Sequence, residues 1–129
     1  MTVFDTLGQL ETYLPRFHSL QHVITIMDRS LPYDNPDGDY TCAEDSDVTY
    51  MVSTVLTSRA GQPVRVKEGS LALIIALEGQ ELVSGSRLDE VYVLSQGRFV
   101  ILGPGEWKRS VMSGDPAPCR DVVFTLPMR

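Results

Sequence analysis

The stretch "SLALIIAL", residues 70–77, decides the fold class, because every position after the serine is apolar. Successive side chains of a strand point to opposite faces, so a strand here is apolar on both. One face carries only large side chains and the other mostly small ones: Leu71, Leu73, Ile75 and Leu77 against Ala72, Ile74 and Ala76. Both faces need a cover, from the N-terminal helices, a second sheet or another subunit. We therefore predict a homodimer.

Short strand-like segments recur from residue 48 onward, and glycine or proline turns separate most of them. The clearest alternation is Val64-Arg65-Val66-Lys67, which has the period of two that a half-exposed strand shows. Six or so strands of this length indicate an all-β sandwich or barrel. The predicted strands are residues 49–57, 64–67, 70–77, 91–94, 98–102 and 121–126.

The N-terminal 30 residues have helical spacing instead. Leucines recur at Leu7, Leu10 and Leu14, and Pro15 interrupts the pattern because it cannot continue a helix. We predict a short helix, a break, and a second helix over about residues 16–29.

Residues 31–47 are rich in acidic side chains and turn formers, which indicates a connecting loop with a short extended piece around residues 39–43. The chain as a whole reads as one domain over residues 1–129. It comprises a helical segment, residues 1–30, and a β barrel, residues 48–129.

Composition excludes several partners. With 11 basic and 17 acidic residues the net charge is −6, which disfavours binding to nucleic acid or to an anionic membrane. The longest apolar run has seven residues, against about 20 for a membrane helix. The first residues lack the basic start and apolar core of a signal peptide, so we expect none. We expect a cytoplasmic protein in which Cys42 and Cys119 are free thiols.

The segment "GPGEWKRS", residues 103–110, combines a predicted tight turn with an acid, an indole and two cations. It is either a polar surface corner or the rim of a binding site. Five segments of this chain bear on that choice because they resemble the YhcH/YjgK/YiaL family, which includes the β subunit of evolved β-galactosidase. They are "LGQLETYLP" (7–15), "GDY" (38–40), "LALIIALEGQE" (71–81), "FVILGPGEWK" (99–108) and "DVVFTL" (121–126).

The resemblance implies a mainly β, cupin-like fold, a double-stranded β-helix or jelly-roll barrel with helices packed outside. It also implies a role in bacterial sugar or sugar-acid metabolism and a divalent metal in the barrel. The chain departs from the family at the ligand positions. Arg65 and Lys67 stand where relatives carry Glu and His, and Lys108 stands where the turn carries His. Ammonium and guanidinium groups have no lone pair to offer a metal, so we expect neither metal nor cofactor.

Two interpretations of these cations stay open. If Arg65, Lys67 and Lys108 converge inside the barrel, they form a pocket for an anionic ligand such as a sugar acid, since arginine and lysine both bind carboxylates. Alternatively Val64 and Val66 face the core and the cations face solvent. The candidate ligand-binding residues are Arg65, Lys67, Lys108, Trp107 and Tyr40.

Two functional classes follow. The first is a non-catalytic binding or accessory protein that keeps the barrel without the family's metal. The alternative is a sugar or sugar-acid anomerase or isomerase, similar to enzymes that interconvert sialic-acid anomers, with Glu106 as the catalytic acid/base. His18 and His22 lie four residues apart, but zinc needs at least a third ligand and the sequence places none nearby.

Overall fold

The computed structural model describes residues 2–55, 62–85, 90–111 and 119–128. Within them the chain forms strands, two α-helices and a 3₁₀ helix. The strands are β1 (Thr2–Thr6), β2 (Gly38–Thr41), β3 (Thr49–Val55), β4 (Gln62–Val66), β5 (Ser70–Glu78), β6 (Gln80–Gly85), β7 (Val91–Ser95), β8 (Arg98–Leu102), β9 (Gly105–Val111) and β10 (Cys119–Pro127). The helices are the 3₁₀ helix (Leu7–Tyr13), α1 (Leu20–Asp28) and α2 (Leu31–Asp34).

The strands form two antiparallel sheets. The larger sheet has the order β1-β8-β5-β10-β3-β2, and the smaller one has the order β4-β9-β6-β7. Residues 98–102 pair with β1 on one side and with β5 on the other. The turn between β7 and β8 uses Gly97 at φ +89°, a backbone conformation that glycine adopts without a steric penalty.

β5 lies in the middle of the larger sheet and is buried on both faces, as its sequence predicts. On one face its leucines pack under the N-terminal helices, against Leu20, Val23 and Ile26 of α1. On the other face Ala72 and Ile74 pack against the smaller sheet. Helices and a second sheet therefore supply both covers within one chain, and the burial of β5 no longer requires another subunit.

The N-terminal segment differs in detail from the prediction. Residues 2–6 form a strand at the edge of the larger sheet, and the helix predicted around Leu7 is a 3₁₀ helix. The break at Pro15 is confirmed, although α1 begins at Leu20. Residues 2–6 were misread because a short edge strand contributes too few positions to show a period.

Besides β1, two strands were missed, β6 and β9. Both carry charged residues at positions that face inward, so their sequences do not alternate cleanly between apolar and polar. The extended piece predicted around residues 39–43 corresponds to β2. Both cysteines are free and buried, as expected. None of the described helices has the length and apolar content needed to cross a bilayer.

Candidate functional site

The cations predicted to bind an anion lie on the outside of the barrel. Arg65 and Lys108 are on the paired strands β4 and β9, and Lys67 follows β4 directly. All three side chains are exposed, whereas Val66 between Arg65 and Lys67 is buried. The cations on and after β4 therefore face solvent, as the second interpretation predicted. The three cations do not converge in the interior of the barrel. Their part in binding a ligand stays a prediction.

Glu106 and Trp107 are neighbours on β9 that point to opposite faces of the smaller sheet. Glu106 is exposed and accepts a hydrogen bond from the guanidinium of Arg65. Trp107 is buried in the core between the sheets, and its Nε1 donates a hydrogen bond to the carbonyl oxygen of Gly103 at 3.1 Å. The indole is therefore a core side chain, although it also borders a hollow of about 160 Å³ shared with Glu106.

A larger groove brings two of the predicted ligand-binding residues together. It has a volume of about 450 Å³ and lies where β2 and β3 of the larger sheet approach β4 of the smaller one. Tyr40 lines it from β2 and Arg65 from β4. The rest of the lining includes three hydroxyls and three apolar side chains, from Thr41, Thr49 and Thr125 and from Met51, Val64 and Val123.

The ring of Tyr40 packs on the helical face of the larger sheet. The ring of Tyr40 stacks on that of Tyr50 with centroids 5.3 Å apart and planes 20° apart, and Tyr50 in turn contacts Phe124. The Tyr40 hydroxyl donates a hydrogen bond to the carbonyl oxygen of Pro36. The ring of Tyr40 therefore belongs to the cluster under the helices, whereas Met51 and Val123, which also line the groove, pack on the other face of the larger sheet.

The interior of the barrel holds a charged cluster that sequence reasoning missed. Arg109 on β9 and Asp121 on β10 are almost completely buried, and Nη1 of Arg109 lies 2.9 Å from both carboxylate oxygens of Asp121. Ser53 on β3 accepts a hydrogen bond from Arg109 at 2.9 Å and donates one to Asp121 at 3.0 Å. Gln62 accepts another from Nη2 of Arg109 at 3.2 Å. These bonds tie the two sheets together.

Glu81 on β6 completes the cluster, and its side chain is fully buried. Neither carboxyl oxygen has a hydrogen-bond partner among the described residues, and the same holds for Nε of Arg109. Burial, followed by repulsion from the carboxylate of Asp121, raises the pKa of Glu81 to about 10. Glu81 is thus neutral at pH 7, and the charges of Arg109 and Asp121 balance. Burial also raises the pKa of Cys119.

The donor set of the barrel does not suit a divalent metal. The face of β5 that points between the sheets carries only apolar side chains, Ala72, Ile74 and Ala76. Both oxygens of Asp121 are taken by Arg109, whose buried positive charge opposes a divalent ion beside it. In the described part of the chain, the carboxyl groups of this cluster and the Cys119 thiol do not come within 4.8 Å of one another as a set of three.

The weak alternation of β6 and β9 was the available signal for this cluster. Glu81 and Val83 share one face of β6, and Trp107 and Arg109 share one face of β9. Once β6 and β9 are recognised as strands, Glu81 and Arg109 fall at inward positions. Charged residues at such positions indicate a buried ion pair. Residues 103–110 were instead interpreted as a tight turn that leads into either a polar surface corner or the rim of a binding site.

His18 and His22 line a hollow of about 240 Å³ together with Ser19 and Asp45. His22 lies on α1, whereas His18 precedes it. Sequence spacing offered no third metal ligand here. The structure brings Cys42 and Glu44 to His22 from the segment that follows β2.

Comparisons with known proteins identify the fold and not the family. Neither a family model nor a curated protein sequence matches the chain. Among solved structures, a cupin protein from Bacteroides fragilis gives a TM-score of 0.55 at 9% identity over 73% of this chain and 78% of that one. A cupin-2 domain protein from Shewanella frigidimarina gives 0.51 at 16% identity over 82% and 96%.

The iron(II) form of HppE gives a TM-score of 0.53 at 12% identity. The alignment covers 63% of this chain but only 43% of HppE, so this chain spans less than half of that protein. At these identities the likeness concerns the fold alone. The two antiparallel sheets and the cupin structures that resemble them lead to the same conclusion. The protein has a mainly β, cupin-like fold with short helices packed outside its larger sheet.

Proposed function

We propose that this protein is a cytoplasmic, non-catalytic binding protein of sugar or sugar-acid metabolism, a divergent relative of the YhcH/YjgK/YiaL family. Its ligand is a small anionic sugar held in the groove between β2, β3 and β4. The observation that carries the proposal is that Tyr40 and Arg65 line this one groove from different sheets.

Apart from the carboxylate of Asp39, the lining matches the chemistry of a sugar acid. Arg65 offers a guanidinium for the carboxylate, which would replace Glu106 as its partner. The hydroxyls of Thr41, Thr49 and Thr125 can donate to and accept from sugar hydroxyls. The apolar side chains of Met51, Val64 and Val123 suit the less polar face of a sugar ring.

The enzymatic alternative lacks comparable support. Opening a sugar ring needs one group that donates a proton and another that accepts one. Glu106 is exposed, and the described contact of its carboxylate is the guanidinium of Arg65, which does not exchange protons in the physiological range. This pair supplies one acid/base group where two are needed.

The free thiols of Cys42 and Cys119 support the cytoplasmic assignment, because reduced cysteines are typical of that compartment.

Thermal unfolding in the presence of millimolar sugars tests the proposal. We expect glucuronate or N-acetylneuraminate to raise the midpoint temperature, and glucose, which has no carboxylate, to leave it unchanged. Arg65→Met removes the guanidinium and should abolish the shift. Lys108→Met is the matched control, because Lys108 is also exposed but lies outside the groove.

Two results would overturn the binding proposal. One is the absence of stabilisation by either acid at concentrations that saturate weak sites. The other is a stabilisation that survives Arg65→Met, because the anion would then bind elsewhere.

A further inference from the structure

Three different kinds of metal-ligating side chain meet at the edge of the helical layer. His22 comes from α1, Cys42 follows β2 directly, and Glu44 lies two residues further on. One ring nitrogen of His22, Sγ of Cys42 and a carboxylate oxygen of Glu44 all lie within 4.8 Å of one another. None of the three residues lies on the smaller sheet, which carries Arg65.

Cys42 is held firmly at its base. Its backbone N–H donates to the carbonyl oxygen of Val48 at 2.9 Å, and both residues are buried. The hydrogen bond closes the loop between them, so the thiol and the Glu44 carboxylate are presented to α1 from a short, closed segment. The sulfur lies 3.4 Å from Oε2 of Glu44, to which the thiol donates.

The donor types agree with one class of ion. An imidazole nitrogen, a thiolate and a carboxylate are the ligands that zinc uses in proteins, at bond lengths of about 2.0–2.3 Å. Ligands of a tetrahedral ion with such bonds lie roughly 3–4 Å apart. Because the three donor atoms already lie within 4.8 Å of one another, coordination of such an ion needs only a small closure. The ion would replace the proton that the Cys42 thiol now shares with Glu44.

The surroundings supply a further oxygen and room for an ion. Oδ2 of Asp45 lies 3.6 Å from Nε2 of His22, and a carboxylate beside a ligating histidine orients the ring. The hollow of about 240 Å³ next to His22 gives access from solvent. Arg29 competes for Glu44 at 3.6 Å, but both side chains are more than half exposed, and such pairs are weak.

We propose that His22, Cys42 and Glu44 form a binding site for a zinc-type transition-metal ion, which fastens α1 to the segment after β2. The site is separate from the barrel interior, where the donors do not suit a metal. It does not depend on the sugar-binding proposal, because none of the three residues lines the groove between the sheets.

Cobalt(II) titration of the tag-free, metal-free, reduced chain tests this site. We expect one equivalent of Co²⁺ to produce a sulfur-to-cobalt charge-transfer absorption, with Zn²⁺ removing the band by displacement. Zn²⁺ should also raise the midpoint temperature of unfolding. Cys42→Ser and His22→Asn should abolish the charge-transfer band. The matched controls Cys119→Ser and His18→Asn, which change the other thiol and the other imidazole, should keep it.

Glu44→Gln tests the site without risk to folding, because Glu44 is exposed and its replacement does not disturb the core. This variant should keep the midpoint of the metal-free protein and bind Co²⁺ at least tenfold more weakly. A band that survives Cys42→Ser, or that disappears in Cys119→Ser while this variant remains folded, would overturn the site. Absence of both the band and the zinc-induced stabilisation in the unaltered chain would overturn it as well.

Discussion

At the scale of single residues, two arginines form ion pairs in opposite environments. The side chains of Arg109 and Asp121 are 2% and 0% exposed, whereas those of Arg65 and Glu106 are 75% and 71% exposed. Removing one partner of a buried pair leaves a charge without compensation, which costs far more than losing a solvated pair. The same residue type therefore contributes very differently to stability at the two positions.

We expect Arg109→Met to lower the free energy of unfolding by about 3–5 kcal/mol, because the carboxylate of Asp121 is left buried without its counter-ion. Arg65→Met should leave it unchanged within error. Urea unfolding at pH 7 measures both. Replacing both partners, as Arg109→Met with Asp121→Leu, should recover much of the loss. Equal effects of the two single substitutions would contradict this assignment.

Glu81 makes stability depend on pH. Its pKa rises from 4.5 to about 10 on folding, so between these values the folded chain holds a proton that the unfolded chain has released. Raising the pH through this window therefore lowers the free energy of unfolding, by up to about 1.4 kcal/mol per pH unit. The contribution is most favourable below pH 4.5 and declines as the pH approaches 10.

Glu81→Gln removes this titration and should flatten the decline between pH 5 and 8. As the pH rises, the free energy of unfolding of the variant should increase relative to that of the unaltered protein. Urea unfolding at several pH values measures this difference. Glu78→Gln is the control, because Glu78 is exposed and its replacement should keep the original slope. Parallel curves for Glu81→Gln and the unaltered protein would show that Glu81 is ionised when folded.

At the scale of elements, α1 covers the outer face of the larger sheet. Leu20 is fully buried there, while Gln21, its neighbour on the helix, is exposed. Leu20→Ala should lower the free energy of unfolding by about 2–5 kcal/mol, through lost burial and the cavity left behind. Gln21→Ala should change it by less than about 0.5 kcal/mol. Urea unfolding compares them, and a loss below about 1 kcal/mol for Leu20→Ala would mean that α1 packs loosely.

At the scale of the whole molecule, the homodimer stays a prediction, but it now depends on exposed edge strands and not on the faces of β5. The faces of β5 are covered within one chain, but the edge strand β7 exposes Val91 and Val93. Phe4 on the other sheet's edge strand β1 is also exposed and contacts Tyr92, with ring centroids 5.5 Å apart. Apolar edge strands are prone to pair with another chain.

Sedimentation equilibrium at micromolar concentration tests the dimer. We expect a dimer for the unaltered chain and a monomer for Val93→Lys, because a buried lysine at the strand edge opposes association. Tyr33→Lys is the control, since Tyr33 is equally exposed but belongs to α2 and not to β1 or β7. A monomer for the unaltered chain would remove the prediction.

The sequence by itself determined the β-rich body, the need to cover both faces of β5, and the unsuitability of Arg65 and Lys67 as metal ligands. These follow from local periodicity and from the chemistry of single side chains. Only the tertiary structure decided which way β9 faces, because Glu106, Trp107, Lys108 and Arg109 fit either orientation by hydrophobic pattern. It also brought Glu81 to Asp121, and His22 to Cys42, since contacts between distant segments depend on how strands and helices pair and leave no trace in local spacing.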